Sequence, residues 1–217
     1  MNRIFCFDLD NTLYLPQKRI LELVDNNIKR FIYEKFKYNS DEIYELRKGY
    51  DEKYGSTLMG LIKEKYIDPL EYLKYIHDID SRYLPEYDQK LRSMLEKLDG
   101  KIILITNSYK EYAIRLLKHI GIYDLFDNIF DIVDMDYFYK SYPGSYLKVL
   151  KKINVTPDKC IMFDDSWRQL SSAKNIGMTT VLVGKHIYKS NADFNIENIY
   201  KLPDILEKLE IKKEVIS

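Results

Sequence analysis

The sequence predicts an α/β protein built on a doubly wound parallel sheet, with a helical segment inserted after the first strand. Three observations carry that prediction. Short, nearly continuous apolar runs recur along the chain, as strands buried on both faces require. Helical patterns separate the later runs, and strand–helix alternation implies right-handed parallel crossovers. The first run ends in two aspartates, Asp8 and Asp10, which are costly inside a sheet and belong at its carboxyl edge.

Taken in order, the strand-like runs are Arg3–Asp8, Lys101–Thr106, Ile129–Val133, Lys159–Phe163 and Thr179–Val183. Helical patterns cover Pro85–Leu98, Lys110–Ile120, Pro143–Ile153 and Trp167–Ile176, with Gly100, Gly121 and Gly177 placed as helix stops. Residues 16–83 break the alternation. Leu21, Val24, Ile28, Phe31 and Ile32 recur at helical spacing, as do Ile43, Leu46 and Tyr50, and no strand pattern intervenes. This stretch leaves the sheet at the edge that carries Asp8 and Asp10, a position suited to a lid. The expected organisation is therefore an α/β catalytic core of residues 1–15 and 84–217 and a helical cap of residues 16–83. Leu202–Lys213 reads as a closing amphipathic helix.

Composition narrows the field. Lys plus Arg number 34 and Asp plus Glu number 34 in 217 residues, so no overall basic field exists to attract a nucleic acid polymer. The two cysteines, Cys6 and Cys160, fall inside strand-like runs and read as reduced packing residues. With them and three histidines, a zinc cluster has little to draw on. No apolar run approaches the roughly 20 residues of a membrane span. No secretion signal is visible, so the expectation is a cytoplasmic protein, a monomer or small homo-oligomer with no membrane partner.

Four elements fall at the carboxyl ends of successive strands: Asp8 with Asp10, Thr106-Asn107-Ser108, Lys140 ahead of Pro143, and Asp164-Asp165-Ser166. Each alone has an ordinary reading as a turn, a helix cap or a solvated lysine. Together at one sheet edge they make a chemical set. Several carboxylates in one pocket repel unless a cation neutralises them, and oxygen ligands without His or Cys point to Mg²⁺. One carboxylate can attack phosphorus, and a second can move a proton. Lys140, Thr106 and Asn107 can steady a phosphoryl group.

These residues resemble the haloacid dehalogenase superfamily of phosphohydrolases, which has a Rossmann-like core. The pattern Asp-x-Asp-x-Thr is Asp8, Asp10 and Thr12. The second motif is Thr106 with Asn107, the third is Lys140-x-x-Pro143-x-x-Tyr146, and the fourth is Asp164-Asp165-Ser166. The resemblance implies Asp8 as nucleophile, Asp10 as general acid and base, and Lys140 as the catalytic cation. It also implies Mg²⁺ held by Asp8, the Asp10 carbonyl, Asp165 and Asp164. Asp10 itself points to a phosphatase, because dehalogenases of the superfamily lack an aspartate there. Two departures stand out: Ser141 where relatives usually have proline, and Gln169 where many carry Asn or Asp. The segment Tyr54-Gly55-Ser56-Thr57-Leu58-Met59-Gly60-Leu61 is similar to a segment of pyrimidine 5′-nucleotidase-like members, as are Tyr14, Asp68-Pro69 and His77. It implies Tyr54 and Thr57 as substrate contacts. The expected activity is hydrolysis of a small phosphorylated metabolite, a pyrimidine nucleoside 5′-monophosphate first. A phosphatase or phosphotransferase for sugar phosphates or other small phosphometabolites, and a non-catalytic metal- and phosphate-binding scaffold, remain as alternatives.

Overall fold

Six parallel strands form one sheet in the computed structural model, which describes residues 3–16, 19–185 and 190–214. The strands are β1 (Arg3–Phe7), β2 (Gly100–Ile105), β3 (Asn128–Phe130), β4 (Cys160–Asp164), β5 (Thr179–Val183) and β6 (Phe194–Ile196). Their order is β3-β2-β1-β4-β5-β6. The chain therefore winds outward from β1 in both directions, and the crevice outside the carboxyl ends of β1, β2 and β4 is the topological switch point where such sheets bind ligands.

Strand alternation sorts the core into two layers. Phe5, Phe7, Ile102, Leu104, Ile161 and Phe163 face one side, where Phe7 and Phe163 stack at 4.7 Å. Ile4, Cys6, Ile103, Ile105, Cys160 and Met162 face the other. Both faces are apolar because helices cover both, which is why the sequence runs are continuous rather than alternating. Cys6 and Cys160 are buried free thiols. The covering helices are α5 (Gln89–Leu95), α6 (Lys110–Ile120), α7 (Pro143–Lys152), α8 (Trp167–Asn175) and α9 (Leu202–Glu214). Among the described residues, no helix is long and apolar enough to cross a membrane.

Between β1 and α5 lie α1 (Ile20–Phe36), α2 (Ser40–Tyr54), α3 (Thr57–Lys65) and α4 (Pro69–Ile76). Each boundary has a local cause. Asn39 and Glu42 close a reciprocal capping box on α2, and Gly55 ends it at φ 80°. Ser56 caps α3, and Asp68 followed by Pro69 opens α4.

Several boundaries differ from the sequence expectation. The strand expected at Ile129–Val133 stops at Phe130, because the Asp131 carboxylate accepts from the amides of Val133 and Asp134 and turns the chain. The helix expected from Pro85 starts at Gln89, where Asp88 caps the Leu91 amide. Gly100 opens β2 instead of ending a helix; a Cβ there would lie 2.3 Å from the Arg3 carbonyl oxygen. The three-residue β6 was not expected at all.

Candidate active site

Asp8 follows the last residue of β1 and its amide still donates to the Phe163 carbonyl at 2.9 Å, so the sheet itself fixes its backbone. The chain then turns through Asn11, which takes the left-handed conformation (φ 61°) that asparagine tolerates. That turn returns Thr12 to the site. Its hydroxyl donates to Asp8 Oδ2 at 3.1 Å and accepts from the Asp165 amide at 3.1 Å, tying the end of β1 to the loop after β4.

Lys140 is the centre of the charge arrangement. Its side chain is wholly buried, with Nζ 2.5 Å from Asp8 Oδ1 and 2.7 Å from Asp164 Oδ2. The backbone around it is anchored twice. The Lys140 amide donates to Asn107 Oδ1 at 2.9 Å, and Ser172 Oγ donates to the Ser141 carbonyl at 2.5 Å. Ser141 thus does the anchoring through its backbone, and the absent proline does not displace the lysine. Thr106 Oγ1 accepts from the Ser108 amide at 3.0 Å, shaping the turn into α6.

Burial and crowding dominate the titration of this cluster. Burial pushes the Asp8 carboxyl up, Lys140 pulls it back, and Asp10 adds to the rise. Asp164 is pushed up to about 7 by burial, with Lys140 opposing and Asp8 reinforcing. Asp165 is pushed up to about 8 by burial and by the charges of Asp8 and Asp164. For Lys140, burial alone would lower the ammonium, but Asp164 and Asp8 outweigh it and the group stays charged. One buried cation therefore faces more carboxylates than it can neutralise.

That surplus is the chemistry of a divalent cation site. Carboxylate oxygens of Asp8, Asp164 and Asp165 all lie within 4.8 Å of one another. The donors are hard oxygens with no His or Cys among them, a set suited to Mg²⁺. Asp165 is the least committed of the three. Asp164 already accepts from Lys140 and, through Oδ1, from the Ser166 amide at 2.8 Å.

Asp10 is held differently. Its Oδ1 accepts from the Tyr14 hydroxyl at 2.6 Å and the Tyr112 hydroxyl at 3.0 Å, and its Oδ2 accepts from Ser108 Oγ at 2.6 Å. Burial first, and Asp10 next, push both tyrosine hydroxyls well above their usual range, so they remain neutral donors. Sequence reasoning missed Tyr112 and gave Ser108 no separate role. Ser108 adjoins the recognised Thr106-Asn107 pair, and Tyr112 lies in the first turns of the helix that follows, which must face the switch point.

A cavity of about 270 Å³ opens over Asp8, Asp10 and Asp165, with Thr106 and Asn107 at its floor. Its roof comes from the inserted helices: Leu21, Val24 and Ile28 of α1, Leu58 of α3, and Leu73 and Ile76 of α4. Further polar groups line it beside those of the sheet edge. They include Asp25, Gln169 and His77, whose imidazole is kept neutral because burial pulls it down to about 4. Gln169 Oε1 is buried without a hydrogen-bond partner among the described residues. Tyr54 and Thr57 do not line the cavity. The Tyr54 hydroxyl donates to Glu64 at 2.6 Å and the Thr57 hydroxyl to Asp51 at 3.2 Å, both at the α2–α3 corner. Of the segment Tyr54–Leu61, it is Leu58 that reaches the cavity.

The haloacid dehalogenase-like hydrolase profile matches residues 3–177, and the chain belongs to that family. Within the family it is a phosphatase. It is 39% identical over 138 residues to phosphate metabolism protein 8 of Saccharomyces cerevisiae, a match spanning 58% of this chain and 42% of that protein. It is 28% identical over 231 residues to glyceraldehyde 3-phosphate phosphatase of Pyrococcus furiosus, covering 95% of this chain and 93% of that one. A crystal structure of a HAD phosphatase from Thermococcus onnurineus shares the fold, with a TM-score of 0.62 and 22% identity over 95% of this chain and 98% of that one.

Proposed function

We propose that this phosphatase is a Mg²⁺-dependent phosphomonoesterase working through an aspartyl-phosphate on Asp8, with pyrimidine nucleoside 5′-monophosphates as its leading substrates. The observation that carries the reading is the unlike treatment of two neighbouring carboxylates. Asp8 sits against the Lys140 cation, whereas Asp10, among the described residues, is held by the neutral hydroxyls of Tyr14, Tyr112 and Ser108. Carboxylates in unlike environments take unlike roles.

In the first step an Asp8 oxygen attacks phosphorus, the bond to the ester oxygen breaks, and that oxygen takes a proton from Asp10. In the second, Asp10 removes a proton from water, the water oxygen attacks phosphorus, and the Asp8–phosphorus bond breaks to release inorganic phosphate. Lys140 fixes Asp8 and spreads the negative charge of the transferring group, with Thr106 and Asn107 offering donors at the cavity floor. Asp8, Asp165 and Asp164, with the Asp10 carbonyl, would hold Mg²⁺, which supplies charge neutralisation between phosphate and carboxylates.

The preference for a small leaving group rests on a cavity of about 270 Å³, just below the range of about 300–1,000 Å³ usual for ligand sites. The pyrimidine preference rests on the resemblance of Tyr54–Leu61, with Leu58 as the residue that meets the leaving group and Tyr54 and Thr57 holding the corner that presents it. Phosphate release from nucleoside monophosphates, sugar phosphates and pyridoxal phosphate, with Mg²⁺ and with chelator, tests both parts. Metal-dependent turnover favouring UMP and CMP is expected. A preference for sugar phosphates discards the nucleotide assignment. Phosphoryl exchange between esters without free phosphate discards hydrolysis.

A further inference from the structure

We propose that Tyr112, Ser108 and Tyr14 are positioning residues that fix the Asp10 carboxylate for proton transfer to the leaving oxygen. The inference rests on the phosphatase reading with Asp10 as acid and base, and goes beyond it by naming what aims that group.

The geometry is specific to this task. Both Asp10 oxygens are engaged, so neither rotation about the carboxylate nor a change of rotamer is free of cost. The donors come from two separate parts of the chain. Tyr14 lies in the turn after β1, while Ser108 and Tyr112 lie 98 and 102 residues beyond Asp10, at the start of α6. All four residues are buried. A phenylalanine would fill the core equally well at positions 14 and 112. Placing hydroxyls there costs desolvation, which is offset only because each finds the same carboxylate. The Tyr112 ring is fixed in turn from the inserted helices. His77, at the end of α4, packs on it at 5.0 Å, and the His77 ring nitrogen Nδ1 is bonded to the Leu73 carbonyl at 2.9 Å.

The role differs from general support of the fold in one measurable way. A general acid matters for an ester whose leaving oxygen is strongly basic and hardly at all for p-nitrophenyl phosphate, whose phenolate departs without a proton. The test compares kcat and KM for UMP, or for the best alkyl phosphate found, with those for p-nitrophenyl phosphate. The proteins are the intact chain and its Tyr112→Phe, Ser108→Ala and Ser108→Thr variants, with Asp10→Asn as the benchmark. A well-placed acid–base group contributes roughly 10²–10⁴-fold, so loosening it is expected to lower kcat/KM for the alkyl ester by about 10-fold in Tyr112→Phe and Ser108→Ala. For p-nitrophenyl phosphate kcat/KM, which reports phosphorylation of Asp8 and not the later water step that Asp10 also serves, should change by less than about 3-fold, and Ser108→Thr, which keeps the hydroxyl, should stay near the parent on both esters. Equal losses of kcat/KM on both substrates, or no loss on the alkyl ester, overturn the inference and leave the phosphatase reading standing. A parent protein that releases phosphate from neither substrate overturns that reading and this one together.

Discussion

The carboxyl edge of the sheet and the inserted helices face each other across one cavity, yet they handle charge in opposite ways. At the edge, Lys140 and Asp164 are wholly buried and each is bonded to the other. In the insertion, charges pair at the surface, as in Lys53 with Glu64, Lys35 with Glu71 and Arg30 with Glu34, where solvent screens them. The groups that the insertion turns toward the site are mostly apolar. The edge therefore holds charged groups that depend on one another, and the insertion presents a mostly apolar surface whose members can vary one at a time.

The sharpest break in that comparison is Asp8→Asn. Asparagine keeps the shape and removes the carboxylate that the proposed mechanism uses as nucleophile, so phosphate release should fall by at least about 10³-fold while circular dichroism stays native. Substantial residual turnover would exclude the covalent route. Lys140→Met comes next and strikes both activity and stability. It leaves Asp8 and Asp164 buried without their cation, and breaking a buried pair typically costs about 3–5 kcal/mol. Denaturant unfolding should show that loss. A variant as stable as the parent would mean the carboxylates simply take up protons, a result their upward-shifted titration makes worth measuring.

That same shift gives a metal and pH prediction. The ordinary carboxyl value is 3.8, and Asp164 and Asp165 are pushed up to about 7 and about 8. The folded metal-free protein thus holds protons that the unfolded chain has lost. The stability this contributes is complete below the ordinary value and disappears as pH rises through the folded values. A divalent cation binds the deprotonated form, so its benefit runs the other way. At a concentration about 100 times its Kd, a cation adds about 2.7 kcal/mol, or roughly 5–10 °C in Tm for a chain of this size. Calorimetry should find the Mg²⁺-induced rise large near pH 8 and small near pH 5.5. An equal rise at both would place the cation away from these carboxylates.

How far the sequence could be read follows the same division. Asp8, Thr106 and Asp164 were legible because a strand end fixes where such a residue must lie, and an unbroken apolar run announces the strand. The short β6 carries too few residues to show a pattern, and α5 is trimmed by an Asp88 cap that composition alone does not favour over Pro85. Tyr112 was hidden for a different reason. An aromatic at helical spacing on α6 looks like core, and it is core except for one hydroxyl. In the insertion, a helix pattern tells which residues are buried but not which neighbour they meet. Tyr54 and Thr57 could thus be marked as a pair while their hydroxyls go to Glu64 and Asp51.

The smallest expected effects sharpen that last point. Leu58→Ala opens the cavity roof at a residue that is 1% exposed, and large-to-small core changes cost about 2–5 kcal/mol in stability. In the enzyme, the KM for a pyrimidine nucleotide should rise severalfold while kcat changes less, because leaving-group contact is lost and the sheet edge is not. Tyr54→Phe removes only the hydroxyl that binds Glu64, at a corner that does not line the cavity. Its KM and kcat should both stay within about 2-fold of the parent, the range of a surface change that touches neither substrate nor catalytic groups. If Tyr54→Phe raised KM as much as Leu58→Ala, the α2–α3 corner would have to move onto the substrate during turnover. The insertion would then contribute a contact that its present packing withholds.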